Sequence, residues 1–368
     1  MKNIFNFFEV KKFRSHAVSL VALMLITLVL AVCDNTDHPA RGDDNGTEGL
    51  WLYRHGEEYI VKGFQFVEGG ARHNVVIPQT HNGYPVVAIE DGAFNVNVSK
   101  GITGTVSIPA SIRTIGVTAF SGSDITEVIF APNSELAVIG NSAFASTVSL
   151  GTVEIPASVR TIGATAFSGS GITEVIFAPN SDLAAIGNNA FELTSSLGAM
   201  KIPASVRTFG VEVFSGSGIT EVIFAPNSEL AVIGRGAFEL TSNLGAMKIP
   251  ATVRTIGANA FSGSGIATVT FVNSDVPLVI GALAFANTKN MTTLTIPARV
   301  TTVANYAFTG WDPLGSIYIP FESLTEADRE WQLVGAPLTQ WRRENTWPII
   351  PFPLLPVGIF RLLPPANE

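Results

Sequence analysis

The side chains best suited to chemistry in this 368-residue chain are few, and they are badly placed for it. All five histidines, His16, His38, His55, His73 and His81, lie ahead of the repeated part of the chain, and Cys33 is the single cysteine. One cysteine excludes an internal disulfide framework and a cysteine-based metal cluster. The text contains no HExxH, CxxC, GxSxG or GxxxxGK, so neither a zinc hydrolase, a nucleophile elbow nor a phosphate-binding loop is written into it. Glu127, Glu174 and Glu221 have the right type for general acid–base work. They recur every 47 residues, however, which marks one structural position used three times rather than three active sites. The expectation is a protein without enzymatic activity, cofactor or metal.

Composition narrows the partners. Twenty-two Lys and Arg stand against thirty Asp and Glu, for a formal charge of -8 and a pI near 5.2, and no basic block follows the N-terminus. Nucleic acid therefore has no electrostatic footprint here. Charged residues make up only 14 % of the chain, and with 34 glycines and 21 prolines it turns often and has little room for long helices. Lys2, Lys11, Lys12 and Arg14 precede an apolar run, Ala17 to Val32. As a helix that run would span about 24 Å, short of the ~30 Å hydrocarbon core, which favours an export signal over a permanent span.

The junction "LAVC" (Leu30 to Cys33) resembles the lipobox of bacterial lipoproteins. The resemblance implies cleavage before Cys33, a diacylglycerol on its sulfur and an acylated new N-terminus. Val32 stands where a small Gly, Ala or Ser is usual, and a free cysteine in an ordinary signal peptide is the alternative. Residues 1–32 are thus read as signal peptide. Residues 33–50, polar and acidic after the cysteine, are read as a flexible tether.

Internal repetition decides the fold. The pairs Ile108-Pro109, Ile155-Pro156, Ile202-Pro203, Ile249-Pro250 and Ile296-Pro297 are each 47 residues apart. Each unit divides into two similar halves, marked by Phe94, Phe120, Phe144, Phe167, Phe191, Phe214, Phe238, Phe261, Phe285 and Phe308. The array therefore has ten turns of about 23 residues. "ITEVIF" (Ile172 to Phe177) and "LGAMKI" (Leu197 to Ile202) share an alternation that reads as a half-buried strand, and Pro156 and its equivalents stop it. Val159, Ile162, Leu183 and Ile186 should point inward, and the phenylalanines should stack as a spine. Gly163 and Gly187 mark either a positive φ or a place where neighbouring turns crowd. No turn can bury its apolar side chains alone, so each must cover its neighbour.

"VVIPQTHNGYPVVAIEDGAF" (Val75 to Phe94) and the "IPASVRTIGATAF" copies resemble the BspA-like branch of the leucine-rich-repeat family, over about residues 59 to 321. The resemblance implies a leucine-rich-repeat solenoid, right-handed and curved. A parallel β-sheet would line its concave face, with turns and short 3-10 segments on the convex face. Val, Ile and Phe replace many leucines, and the asparagine ladder of the common pattern is missing, as in that branch. Residues 51–93 are read as the N-terminal cap and first turn and 94–320 as the solenoid. Residues 321–346 are read as a C-terminal helical cap, opened by the capping box Ser323-x-x-Glu326, and 347–368 as a Pro-rich tail that packs along the last turns or mediates association.

A ligand would meet the outward strand positions. One column includes Ile129, Glu154, Ile176, Lys201, Ile223, Lys248 and Tyr318, and a second Glu127, Glu174 and Glu221. These ten residues are the concave-face binding candidates. Isoleucines beside charges make a strip that a protein partner can use. Equally, the isoleucines can serve strand propensity while the Glu and Lys side chains pair across turns. Arg113, Arg160, Arg207 and Arg254 occupy alternate turns, with Glu135, Asp182 and Glu229 one column over, and read as an alternating charged surface. The resemblance implies adhesion to a host matrix or plasma protein in some members. The leading expectation is accordingly a lipid-anchored surface protein that binds other proteins for attachment, with a scaffolding protein of the envelope as the alternative.

Overall fold

A computed structural model describes residues 46–64, 72–95, 102–304, 306–310, 316–320 and 359–363. The export signal, Cys33, most of the tether, the expected helix and the tail apart from Ile359–Leu363 lie outside the described residues. No helix occurs among the described residues, and nearly every strand pairing is parallel.

Each turn lays down two strands. The longer ones carry the alternation read above: Thr152–Ile155, Glu174–Phe177, Met200–Ile202, Glu221–Phe224 and Ala246–Ile249 are examples. The second set is shorter, two residues in most turns (Thr114–Ile115, Val138–Ile139, Thr161–Ile162 and so on), and stacks into one 13-stranded sheet. That second ladder has no counterpart in the sequence reading, because two residues are too few to show a period. It opens on an antiparallel hairpin, Leu50–His55 with Glu58–Phe64, whose second strand pairs in parallel with Tyr84–Ile89. The long-strand face is divided into sheets of five, four and three strands. Return paths of 22 residues pair three or four residues (Met200↔Val222 to Ile202↔Phe224; Thr152↔Glu174 to Ile155↔Phe177), whereas paths of 25 residues pair two at most (Val153↔Val128; Glu221↔Ala246). Between Glu174–Phe177 and Met200–Ile202 continuity passes to bonds such as Gly198 N–H to Thr173 C=O (3.0 Å).

The expected 3-10 segments are not found among the described residues; hydrogen-bonded turns stand in their place. The reason is a left-handed residue in every turn ahead of its spine phenylalanine. Gly92, Thr118, Ser142, Thr165, Asn189, Glu212, Gly236, Asn259, Leu283 and Tyr306 all have φ between +52° and +67°. A 3-10 run needs negative φ throughout, so one such residue ends it. For a non-glycine residue this conformation costs roughly 1–2 kcal/mol. The offset is visible: the N–H of Thr118 reaches Asn141 C=O (2.9 Å), that of Thr165 reaches Asn188 C=O (2.8 Å), and that of Glu212 reaches Arg235 C=O (2.7 Å). The left-handed residue thus hands its amide to the next turn.

Inside, the ten phenylalanines form the expected spine. Successive ring centroids from Phe94 to Phe308 lie 5.0 to 5.8 Å apart and the rings are within 16° of parallel. Val159, Ile162, Leu183 and Ile186 are buried with them. Buried hydroxyls tie the turns down, Thr147, Thr194 and Thr241 each donating to the carbonyl of the spine phenylalanine three residues earlier (2.7 Å). Crowding accounts for the two glycines. A Cβ on Gly163 would sit 2.6 Å from the Asn141 nitrogen, and one on Gly187 would sit 2.6 Å from the Gly163 carbonyl carbon.

One feature corrects the sequence reading and a second adds to it. An asparagine ladder exists on alternate turns: Asp91, Asn141 and Asn188 accept the N–H of Val117, Ala164 and Val211 on Oδ1 (2.6, 2.8 and 2.8 Å). It ends where Arg235 takes the next position. In the last repeat Arg299 replaces the Ser205 and Thr252 of earlier copies, whose hydroxyls donate one turn back to Ser181 and Ser228 C=O. Its guanidinium, almost wholly buried, donates instead to Val253, Val276 and Pro250 C=O (2.7, 3.1 and 3.3 Å), binding three turns together. Burial lowers its pKa below the ordinary arginine value.

Phe191→Ala, which breaks the spine at its middle, should cost about 3–5 kcal/mol in chemical denaturation. A loss below 1 kcal/mol would show that the stack is not what holds neighbouring turns together.

Candidate protein-binding face

On the long strands burial alternates as the pleat requires: in Glu174–Phe177 the glutamate and Ile176 face out while Val175 is buried. Register then sets the columns. Ser107 lies beside Ile129, Glu154 beside Ile176, Lys201 beside Ile223, and Lys248 beside Thr270. In the second column Thr105 lies beside Glu127, Thr152 beside Glu174, and Glu221 beside Ala246. Tyr318 falls in register between Thr295 and Arg361. The structure thus places all the candidate residues on long strands, in the columns expected, but distributes them over three sheet segments rather than one.

The isoleucines are the notable members. Ile129, Ile176 and Ile223 are 46 %, 40 % and 38 % exposed, every second turn along one line. Their neighbours Glu154, Glu174, Lys201, Glu221 and Lys248 take part in no ion pair among the described residues. Glu127 accepts the Thr105 hydroxyl (3.2 Å). Pairing across turns therefore does not account for these charges.

The short-strand face behaves differently. Arg113 bridges Glu58 of the N-terminal hairpin (2.9 Å) and Glu135 (3.2 Å), and Arg207 meets Glu229 (2.8 Å). Arg160 and Arg254 make no ion pair among the described residues. Asp182 is one methylene shorter than Glu135 and Glu229, and so is Asp275 of the last copy, where Ser274-Asp275-Val276 repeats Ser228-Glu229-Leu230 down to the amide-to-serine bond (3.1 and 3.3 Å). Exposed pairs of this kind contribute about 0–1 kcal/mol each.

Differences between copies expose a cluster that sequence reasoning passed over. Where the second copy has Ile162, Ala164, Thr165, Ala166, Asn188 and Asn189, the third has Phe209, Val211, Glu212, Val213, Arg235 and Gly236. These positions belong to two adjacent turns. Arg235 Nη2 donates to Glu212 Oε1 (2.9 Å) and Asn189 Nδ2 to Glu212 Oε2 (3.3 Å). A Cβ at 236 would stand 2.8 Å from Glu212 Cγ, so the glycine makes room for the carboxylate. The Arg235 bond, then that of Asn189, hold the Glu212 carboxyl below the usual glutamate range. Burial first, then the Glu212 charge, push Glu239 above it. Aligning the copies against one another was the available signal.

Comparison with known proteins follows the same pattern. The BspA type leucine rich repeat region matches in six copies, over residues 87–220, 171–278 and 231–330. The chain belongs to the BspA-type leucine-rich-repeat family. Among solved structures, the pneumococcal vaccine antigen PcpA is similar at 21 % identity, over 73 % of this chain and 79 % of that one, with a TM-score of 0.50. A leucine rich cell surface protein of Faecalibacterium prausnitzii is 21 % identical over 74 % of this chain and 87 % of its own, with a TM-score of 0.38. The leucine-rich-repeat protein of T. pallidum is 21 % identical over 66 % and 88 %, with a TM-score of 0.37. No curated protein sequence matches the chain. The first of these likenesses shows that the BspA-type chain has the leucine-rich-repeat fold.

A raised carboxyl pKa means that the folded chain binds a proton more readily than the unfolded one. The stabilisation is present below the unfolded value and is lost as pH rises through the folded value. Glu239→Gln should therefore stabilise the BspA-type solenoid at neutral pH, and the gain should vanish as pH falls below 4.5, the ordinary glutamate value. Denaturation of both proteins across that range checks the sign; a gain independent of pH contradicts it.

Proposed function

We propose that this protein is an exported surface lipoprotein that uses its long-strand face to bind another protein, in attachment to host tissue or to other cells. The observation that carries this reading is the line of exposed isoleucines, Ile129, Ile176 and Ile223, with Glu154 and Lys201 between them. Large β-branched side chains held outward on a rigid ladder make a preorganised apolar strip, and charges that form no ion pair among the described residues lend it selectivity. Successive isoleucines stand about 10 Å apart at two strand spacings, so the ligand is read across several turns and no single repeat suffices. Anchoring rests on Leu30 to Cys33, whose lipobox-like text follows a basic and then apolar leader.

Three measurements separate the parts of this proposal. Ile176→Arg with Ile223→Arg should weaken binding to purified host matrix proteins at least about tenfold, and exposed positions of this kind shift stability by only about 0.5 kcal/mol. Unchanged binding would move the ligand off this face. Cells fed labelled fatty acid should incorporate it into the protein and lose it in Cys33→Ala. Retention of label in the variant would remove the anchor. Protease on intact cells should digest the repeats, and repeats that survive until lysis would argue for an internal envelope role.

A further inference from the structure

The long-strand ladder ends on a strand that belongs to no repeat. Thr293 pairs with Ser316, a step of 23 residues in keeping with the turns before it. Ser316–Pro320 then pairs with Ile359–Leu363, and Ser316 stands opposite Ile359, forty-three residues further along the chain. The contact is parallel and runs through five residues, to Pro320 opposite Leu363, one more than the four joining Thr152–Ile155 to Glu174–Phe177. The family match stops at residue 330; the tail lacks the Ala-Phe of the repeats, and its one Ile-Pro pair, Ile350-Pro351, precedes the strand. Its prolines fall at 348, 351, 353, 356, 364 and 365, which leaves 357–363 as the one window able to donate a full row of amides. Leu363-Pro364 also repeats the stop that Ile155-Pro156 provides in the array.

We propose that Ile359–Leu363 is the C-terminal cap of the solenoid, a strand that the chain returns from its own tail to the sheet edge left by the last repeat. A parallel array leaves an open row of N–H and C=O groups on its final strand, a template for any other extended chain. The antiparallel hairpin Leu50–His55 with Glu58–Phe64 stands at the N-terminal limit of the short-strand sheet. The tail strand stands at the C-terminal limit of the long-strand face. Each is non-repeat text at the end of a sheet, and on the tail strand the edge left open is short and closed by Pro364 and Pro365. The occupant is this chain's own segment, and a second copy is the competing one.

The full chain with Cys33→Ser, Ser316→Cys and Ile359→Cys tests the placement under mild oxidation. A disulfide within one chain, with the protein monomeric by mass, is the expected result. Cross-links found only between chains would make a second copy the occupant, and no cross-link would refute the pairing; either outcome overturns the proposal. A chain ending at Gly358 supplies an independent readout by hydrogen exchange. The amides of Ile317 to Ile319 should exchange at least about tenfold faster than in the full chain while those of Thr152–Ile155 keep their protection. Equal protection at 317–319 in the two proteins would overturn the cap.

Discussion

Every feature of this protein depends on stacking turns at one fixed pitch. A turn of about 23 residues has too little interior to exclude water from its own apolar side chains. Its neighbour must close it, and must come near enough to do so with the phenylalanine ring, the Ile-Val-Leu layer and the backbone amides together. The ring spacing of 5.0 to 5.8 Å along the spine records that approach. Gly163 and Gly187 record it from the other side, since the backbone of the preceding turn stands where a Cβ would have to go. Phenylalanine and glycine are therefore two answers to one demand, one filling the space between turns and the other vacating it.

The left-handed residues belong to the same account. Turning the chain within so short a path places one residue per turn at positive φ, and Thr118, Thr165 and Glu212 are poor choices for that conformation. They are retained because the rotated amide finds a carbonyl on the next turn, so local strain is exchanged for an inter-turn bond. Arg299 extends the idea at the end of the array, where one buried guanidinium takes three carbonyls from turns otherwise linked only pairwise.

Once the pitch is set, outward positions are released from packing and become columns. The two faces then diverge. On the short-strand side Arg113 and Arg207 are taken up by acids on neighbouring elements while Arg160 and Arg254 are not; on the long-strand side Glu154, Glu174, Lys201, Glu221 and Lys248 make no ion pair among the described residues and isoleucines stand exposed beside them.

Much of this was legible in the chain text. The 47-residue period, its halving at the phenylalanines, the strand alternation and the inward positions all depend on local spacing that repetition makes unmistakable, and so did the columns that hold Glu154, Ile176 and Lys201. What the text did not show depended on which atoms of one turn meet the next. The two-residue second ladder is too short to have a period. The left-handed turns replaced the expected 3-10 segments, the asparagine ladder was hidden by occurring on alternate turns only, and Glu212 with Arg235 paired across 23 residues. The strand at Ile359–Leu363 lies furthest from legibility, because nothing local says which edge an isolated extended segment will join. Sequence alone determined the repeat and its inside, since those follow from the order of apolar residues along one turn. Tertiary structure decided the contacts between turns and at the ends, since hydrogen bonds and ion pairs form only between groups that folding has brought side by side.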